Sequence, residues 1–138
     1  MKANMKFIKN HGGREKYFSV NLKKHKTNDC VIRAIAIATE IDYLKVRDSL
    51  FDRAKSVGRM PNDKEVYEAF LKDNGWIKNS PIKNSKGKKY KVKDFPVKNC
   101  IVHTTNHLTV IKDGALNDTW NCMEWCANSY YTKNPLNK

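Results

Sequence analysis

The chain has no glutamine, only 14 acidic residues against 27 lysines and arginines, and no long apolar run. Its most apolar stretch, residues 30–39, is interrupted by Arg33 and is much shorter than the roughly 20 residues of a transmembrane helix. The first ten residues carry three lysines and lack the apolar core of a signal peptide. We therefore expect no membrane span and a cytoplasmic location.

The length and composition predict one folded domain. A chain of 138 residues can close a single hydrophobic core. Its apolar content of 40% and its 14 aromatic residues argue against disorder along the whole chain. We expect a basic arm over residues 1–26 and one domain over residues 27–138. Without a secretion leader, the four cysteines are expected to be reduced thiols.

The net charge of +13 is concentrated in two lysine-rich flanks. Residues 1–26 and 78–98 each hold eight basic residues and one acidic residue, whereas residues 40–74 hold seven basic and eight acidic ones. Such flanks could attract nucleic acid or an acidic partner. They could equally be solvated loops, because their basic residues are almost all lysines, whereas specific nucleic-acid contacts usually show arginine and interleaved aromatics.

Three helices are predicted in the first half. Residues 30–39 are apolar on all faces except at Arg33, which indicates a central, buried helix. Residues 43–56 place an apolar residue on one face at helical spacing after an Asp42 cap, and a third helix follows Pro61. The third has a capping-box spacing between Asn62 and Glu65 and a stop signal at Gly75.

The second half has the period of strands. We expect a half-exposed strand over residues 90–93 and a buried strand over residues 100–103. Outside the second half, a short strand is expected near Tyr17–Leu22 in the arm. Residues 107–112 and 115–120 flank Asp113-Gly114, a dipeptide typical of a two-residue hairpin turn. Residues 77–88 are expected to be a connecting loop. Helices followed by antiparallel strands indicate an α+β domain.

Cys30 is the candidate nucleophile. It follows the cap candidates Thr27, Asn28 and Asp29, so it lies at the N-terminus of the buried helix. The free N–H groups and the dipole of a helix N-terminus favour a thiolate. A reactive thiol also needs a nearby histidine and a group that orients that histidine.

The hairpin geometry supplies such a pair. A two-residue turn places Thr109 opposite Asp118, and His107 then lies on the same face as a diagonal neighbour of Asp118, within side-chain reach. A three-residue turn would place the two side chains on opposite faces. The turn signal therefore predicts that His107 and Asp118 meet.

Three segments together resemble the papain-like cysteine peptidase superfamily. They are Thr-Asn-Asp-Cys-Val-Ile-Arg-Ala at 27–34, His-Leu-Thr-Val-Ile-Lys-Asp-Gly at 107–114, and Asp-Thr-Trp at 118–120. The chain looks most like the small members met in phages and the bacteriocin-processing type, whose third residue is an aspartate. The resemblance implies that Cys30 is the nucleophile, His107 the general base and acid, and Asp118 the residue that orients His107. It also implies a fold in which N-terminal helices, with the cysteine on the central one, pack on a C-terminal antiparallel sheet.

The expected function is a papain-like cysteine hydrolase, acting as a peptidase, deamidase or related acyl transferase through a thioester on Cys30. We expect a protein or peptide substrate and no cofactor. The heavy use of Lys and Asn suggests an AT-rich genome, which fits a phage-encoded enzyme acting on a host protein in the host cytoplasm.

Two positions depart from the family pattern. The family carries a glutamine shortly before the cysteine as part of the oxyanion hole, and here the Asn28 side chain and the Cys30 backbone N–H are the candidate substitutes. Asp29 adjoins the thiol and would oppose thiolate formation unless its carboxylate is turned away.

Three alternatives to the hydrolase hypothesis remain open. The chain could be a non-enzymatic basic protein on the same fold that binds nucleic acid or a host protein. It could also be a structural domain in which Cys30 is an inert core thiol, with Trp120 and Trp125 as core or rim aromatics. A zinc site is the third alternative, with candidate ligands at Cys100, His103, His107, Cys122 and Cys126. We expect no metal, because Cys100 and His103 would point to opposite faces of a strand, while Cys122 and Cys126 would be packed thiols on one face of a short helix.

Overall fold

The order of elements gives an α+β architecture with three helices and a six-stranded sheet. The structure is a computed structural model that describes residues 4–20 and 27–134. The helices are α1 (Cys30–Thr39), α2 (Tyr43–Val57) and α3 (Lys64–Asp73). The strands are β1 (Phe7–Lys9), β2 (Trp76–Asn79), β3 (Cys100–Thr104), β4 (His107–Lys112), β5 (Ala115–Asp118) and β6 (Tyr130–Lys133).

The helices agree with their predicted ranges. α1 buries every residue from Val31 to Ile37, Arg33 included, as expected of a central helix. α2 begins at the predicted cap, where the Asp42 side chain accepts a hydrogen bond from the backbone N–H of Leu44 at 3.1 Å. The capping box predicted at Asn62 is wrong. The N-cap of α3 is Asp63, whose side chain makes no capping bond.

The strands are arranged in the order β1-β5-β4-β3-β6-β2. β4 and β5 form the predicted hairpin, with Lys112 paired to Ala115 across the Asp113-Gly114 turn. The sheet is mixed and not wholly antiparallel as expected, because β1 pairs with β5 in parallel. β1 comes from the segment that the sequence assigned to a basic arm.

Three local predictions of strands and loops are wrong. The described part of Tyr17–Leu22, residues 17–20, contains no strand; residues 21–26 lie outside the described ranges. The strand expected at residues 90–93 is replaced by a short 3-10 helix over Val92–Asp94. The connecting loop expected at residues 77–88 begins inside β2, which pairs with β6.

The sheet separates two apolar cores. The helices cover one face, where Ile35, Leu50 and Leu71 belong to the same apolar cluster as Leu108 and Val110 of β4. The other face is covered mainly by residues of two irregular segments, 82–97 and 122–130, which enclose Val102, Ile111 and Leu116. Leu108, next to His107 in β4, belongs to the first core, and Cys122, which contacts Asp118, belongs to the second. Packed residues of both cores therefore adjoin the end of the sheet where β4 begins and β5 ends.

The N-terminal segment is closely docked on the domain. The backbone N–H of Asn10 donates to the carbonyl of Asp118 at 2.9 Å, which continues the pairing of β1 with β5. Gly12 has a φ of +68°, and a Cβ there would lie 2.9 Å from the carbonyl oxygen of Arg33. Only glycine permits this approach to α1 without a shift in the backbone.

None of the helices within residues 4–20 and 27–134 is long and apolar enough to cross a membrane.

Candidate active site

Cys30 is the first residue of α1, with Asp29 as its N-cap. The thiol is partly exposed and lines a cleft of about 640 Å³. The cleft is also lined by His107 and by Asn28, as well as by the exposed rings of Trp120 and Trp125. The sequence placed Cys30 at the start of a buried helix, and the structure places the thiol where a ligand in the cleft could reach it. We name this cleft the thiol cleft.

His107 and Asp118 meet as the hairpin register predicts. His107 is the first residue of β4 and Asp118 the last of β5, and both side chains are buried. The Nε2 atom of His107 lies 2.6 Å from the Oδ2 atom of Asp118. Because this contact uses Nε2, the Nδ1 atom of the ring is left for a second partner.

The surroundings of Cys30 favour its thiolate. Burial raises the pKa of the thiol, but a hydrogen bond from His107 and one from the backbone N–H of Leu108 lower it more, and the result is a pKa below the ordinary value. The helix N-terminus acts in the same direction. Leu108 was not recognised in the sequence, because a backbone donor leaves no signal in residue type.

His107 is held in its charged form. Burial lowers its pKa, but the hydrogen bonds that the imidazolium donates to Asp118 and to the sulfur atoms of Cys122 and Cys30 raise it to about 11. Burial also raises the pKa of Asp118, while the hydrogen bond and charge of His107 outweigh this and lower it. Asp118 therefore remains ionised and stabilises an imidazolium beside the Cys30 thiolate.

Two further groups fix the Asp118 carboxylate. The backbone N–H of Thr119 donates to Oδ1 at 2.6 Å, and the Sγ atom of Cys122 lies 3.8 Å from Oδ2. Cys122 is fully buried, whereas Cys126 is exposed. The two cysteines lie outside the helices, so the prediction that they share a helix face is wrong. No spacing in the sequence pointed to Cys122 as a neighbour of Asp118.

Asp29 is turned away from the thiol by a buried charge cluster. Its carboxylate forms ion pairs with Arg14 at 3.0 Å and with Arg33, and it accepts a hydrogen bond from the Tyr43 hydroxyl at 2.6 Å. Two guanidinium groups thus neutralise the charge that the sequence suggested would oppose the Cys30 thiolate. The same cluster explains why the otherwise apolar α1 carries Arg33.

Asn28 lies at the edge of the thiol cleft in a left-handed conformation, with a φ of 55°. Asparagine adopts this region more readily than most residues. Its exposed side-chain amide makes no hydrogen bond to the described residues, so its N–H groups can donate to a ligand. The structure thus brings the oxyanion candidate to the same cleft as the thiol.

Two tryptophans border the thiol cleft. The Trp120 ring lies 4.9 Å from the His107 ring, and the Trp125 ring packs edge-to-face on Trp120 at 5.2 Å. Both rings are exposed, so they are rim rather than core aromatics. Trp120 limits the access of water to the hydrogen bond between His107 and Asp118.

One group of metal-ligating atoms occurs among the described residues. His107, Asp118 and Cys122 each offer one donor atom, and the three atoms lie within 4.8 Å of one another. Ligand atoms on one tetrahedral zinc ion are about 3.3 Å apart. The 2.6 Å contact between His107 and Asp118 is shorter and fits a shared proton. Of the zinc candidates in the sequence, only His107 and Cys122 belong to this group.

Comparison with family models, with curated proteins and with solved structures finds no match.

Proposed function

We propose that the protein is a papain-like cysteine hydrolase that acts on a protein or peptide through a thioester on Cys30. The observation that carries the proposal is the position of the His107 ring, whose Nε2 atom lies 2.6 Å from the Asp118 Oδ2 atom and which lines the same cleft as the Cys30 thiol. The neighbouring His107 lowers the pKa of that thiol. The architecture supports it as well, because the helix that bears the thiol packs on the sheet that bears the other two residues.

Acylation begins with attack of the Cys30 thiolate on the substrate carbonyl carbon. The carbonyl oxygen takes up the negative charge, and in this proposal the Cys30 backbone N–H and the Asn28 amide donate hydrogen bonds to it. The His107 imidazolium then gives its proton to the leaving nitrogen as the C–N bond breaks. The acyl group remains on sulfur as a thioester, and Asp118 keeps the neutral imidazole oriented.

Hydrolysis reverses the roles of the proton carriers. Neutral His107 takes a proton from water, the hydroxide attacks the thioester, and the C–S bond breaks to release the acid and the Cys30 thiolate. A peptide bond and a side-chain amide enter this sequence in the same way. The triad thus serves peptidase and deamidase chemistry alike.

The proposed setting is the cytoplasm, that of a host if the chain is phage-encoded. The proposal of a cytoplasmic setting and a phage origin is based on the composition and on the family resemblance of the three segments around Cys30, His107 and Asp118.

Alkylation of the folded protein tests the proposal. At a pH below the thiol pKa, each unit by which that pKa falls raises the thiolate population about tenfold. A thiolate of lower pKa is also less nucleophilic, and this cancels roughly half of the gain on a logarithmic scale. We expect iodoacetamide at pH 6–7 to modify Cys30 several times faster than the exposed Cys126, as measured by peptide mass spectrometry.

The other cysteines supply the controls within the same chain. Cys100 and Cys122 are buried, and burial raises the pKa of Cys100 to about 12, so neither should react before the protein unfolds. Labelling of Cys30 no faster than Cys126 would exclude an activated thiol. Salt-sensitive binding of random DNA that survives Cys30→Ala, together with an inert Cys30, would favour the basic binding protein instead.

A further inference from the structure

A second cleft lies on the other side of the β3–β4 turn. It has a volume of about 480 Å³ and is lined by Lys64 at the start of α3, Lys78 in β2, His103 in β3, and polar groups of Asn79, Ser80, Asn128 and Ser129. This size is within the range of ligand sites. We name it the lysine cleft.

The lysine cleft carries an excess of positive charge. Among the described residues, no aspartate or glutamate lines it. Glu68 is a carboxylate that contacts a lining residue, since it forms an ion pair with Lys78 at 3.1 Å. It also accepts a hydrogen bond from the Tyr131 hydroxyl at 2.6 Å. A third amine reaches the rim, since Lys89 Nζ lies 2.9 Å from the Asn128 side-chain oxygen.

Burial and the positive charge of the lysine cleft lower the pKa of the His103 imidazole. Burial lowers its pKa, and the neighbouring Lys64 and Lys78 lower it further, against a smaller opposing effect of Glu68. An anion seated between these groups would relieve the repulsion. Ammonium groups, an imidazole, amides and hydroxyls are the donors that bind carboxylates.

The two clefts are neighbours across one turn. Thr105, Asn106 and His107 line the thiol cleft, while His103 lines the lysine cleft. β3 and β4 pair Thr104 with His107, so the two clefts flank the same hairpin end. Given the spacing of strands and residues, they lie on the order of 10 Å apart, a distance that about three to four extended residues span.

We propose that the lysine cleft binds aspartate or glutamate side chains of a polypeptide substrate, a few residues from the bond that Cys30 attacks. That the bound chain is a substrate rests on the proposed function; the binding itself does not. An acidic peptide fits better than nucleic acid, because no Phe, Tyr or Trp among the described residues lines the lysine cleft, and single-stranded nucleic acid binds largely by stacking on such rings.

Binding can be measured without turnover in the Cys30→Ala protein. The probe is a fluorescein-labelled peptide of six glutamates between glycines, followed by anisotropy at low and physiological salt. Lys64→Glu and Lys78→Glu should each weaken its binding about tenfold. Lys64→Glu adds an acidic residue to the first turn of α3, where it favours the helix, so loss of folding is not expected.

Lys9→Glu is the matched control, since it makes the same charge change on β1, at the opposite edge of the sheet from β2. It should change binding less than twofold. NMR of the His103 ring should show that its pKa rises when the peptide binds, because a nearby carboxylate favours the imidazolium.

Three results would overturn the proposal. The first is no binding of the peptide, and the second is an equal loss of peptide binding in Lys9→Glu. The third is binding of an oligothymidine of matched charge that Lys64→Glu and Lys78→Glu weaken, while the peptide does not bind. The alkylation rate of Cys30 in Lys64→Glu and Lys78→Glu, made on the wild-type chain, should stay unchanged. An inert Cys30 with intact peptide binding would contradict the hydrolase proposal alone.

Discussion

His107→Ala is expected to slow the alkylation of Cys30 at pH 6 by at least about tenfold. The substitution removes the hydrogen bond and the positive charge that lower the thiol pKa, while burial, which raises it, remains. At a pH below the thiol pKa, each unit by which that pKa rises costs about tenfold in thiolate, partly offset by the greater nucleophilicity of the thiolate that remains. Loss of the proton carrier should slow any hydrolysis by a further factor of about 10²–10⁴.

The pH profile gives the sign of the effect. In the wild type, the thiolate is present above the lowered pKa of Cys30, and reactivity is lost as the pH falls through that value. In His107→Ala, the same transition should move to higher pH, so the two proteins should converge in alkaline solution. Rates measured from pH 5 to 10 by mass spectrometry would resolve both transitions.

His103→Ala is the matched control for this experiment. His103 lies on the adjacent strand and lines the lysine cleft, not the thiol cleft. Its removal should leave the Cys30 profile in place. An unchanged profile in His107→Ala, or equal shifts in both variants, would contradict the assignment of His107 as the partner of the thiol.

The parts of the site that the sequence predicted depend on short-range rules. A two-residue turn fixes the register of a hairpin, so the Asp113-Gly114 signal was sufficient to predict the meeting of His107 and Asp118. A cap followed by an apolar run fixes a helix start, which located Cys30. Both rules relate residues that are close in sequence.

The parts that were missed depend on contacts between distant segments. β1 has three residues, too few for an alternation to be recognised, and it becomes a strand by pairing with β5. Arg14 reaches Asp29 from 15 residues away, so the sequence alone left an unopposed charge beside the thiol. Cys122 packs against Asp118 from an irregular segment, which has no period that could predict its direction.

The surroundings of Asp29 also determine how strongly the site depends on the N-terminal segment. Asp29 belongs at once to the cap of α1 and to the cluster that ties Arg14 to that helix. The loop before Cys30 is therefore held by charge as well as by packing. A protein with this cluster broken should lose both stability and the position of its thiol.

The stability effect of Asp29→Ala, which removes Asp29 alone, is measured against two control variants. Asp52→Ala makes the same change at an exposed position of α2 and should alter the unfolding free energy by no more than about 0.5 kcal/mol. The double variant Asp29→Leu with Arg33→Leu removes both partners of the most buried pair. It should recover most of the loss, because an apolar pair of similar volume is often as stable as a buried ion pair.

Asp29→Ala is expected to lower the unfolding free energy by about 3–5 kcal/mol, since it leaves the buried Arg33 guanidinium without its carboxylate. With a urea m-value of about 1–3 kcal/mol/M, the midpoint of unfolding should fall by at least about 1 M. Arg14 is less buried than Arg33 and can turn to water, so most of the cost belongs to Arg33. If Asp29→Ala were as stable as the wild type, the cluster would not hold the loop before Cys30. A double variant less stable than Asp29→Ala would show instead that Arg33 stabilises α1 through other contacts.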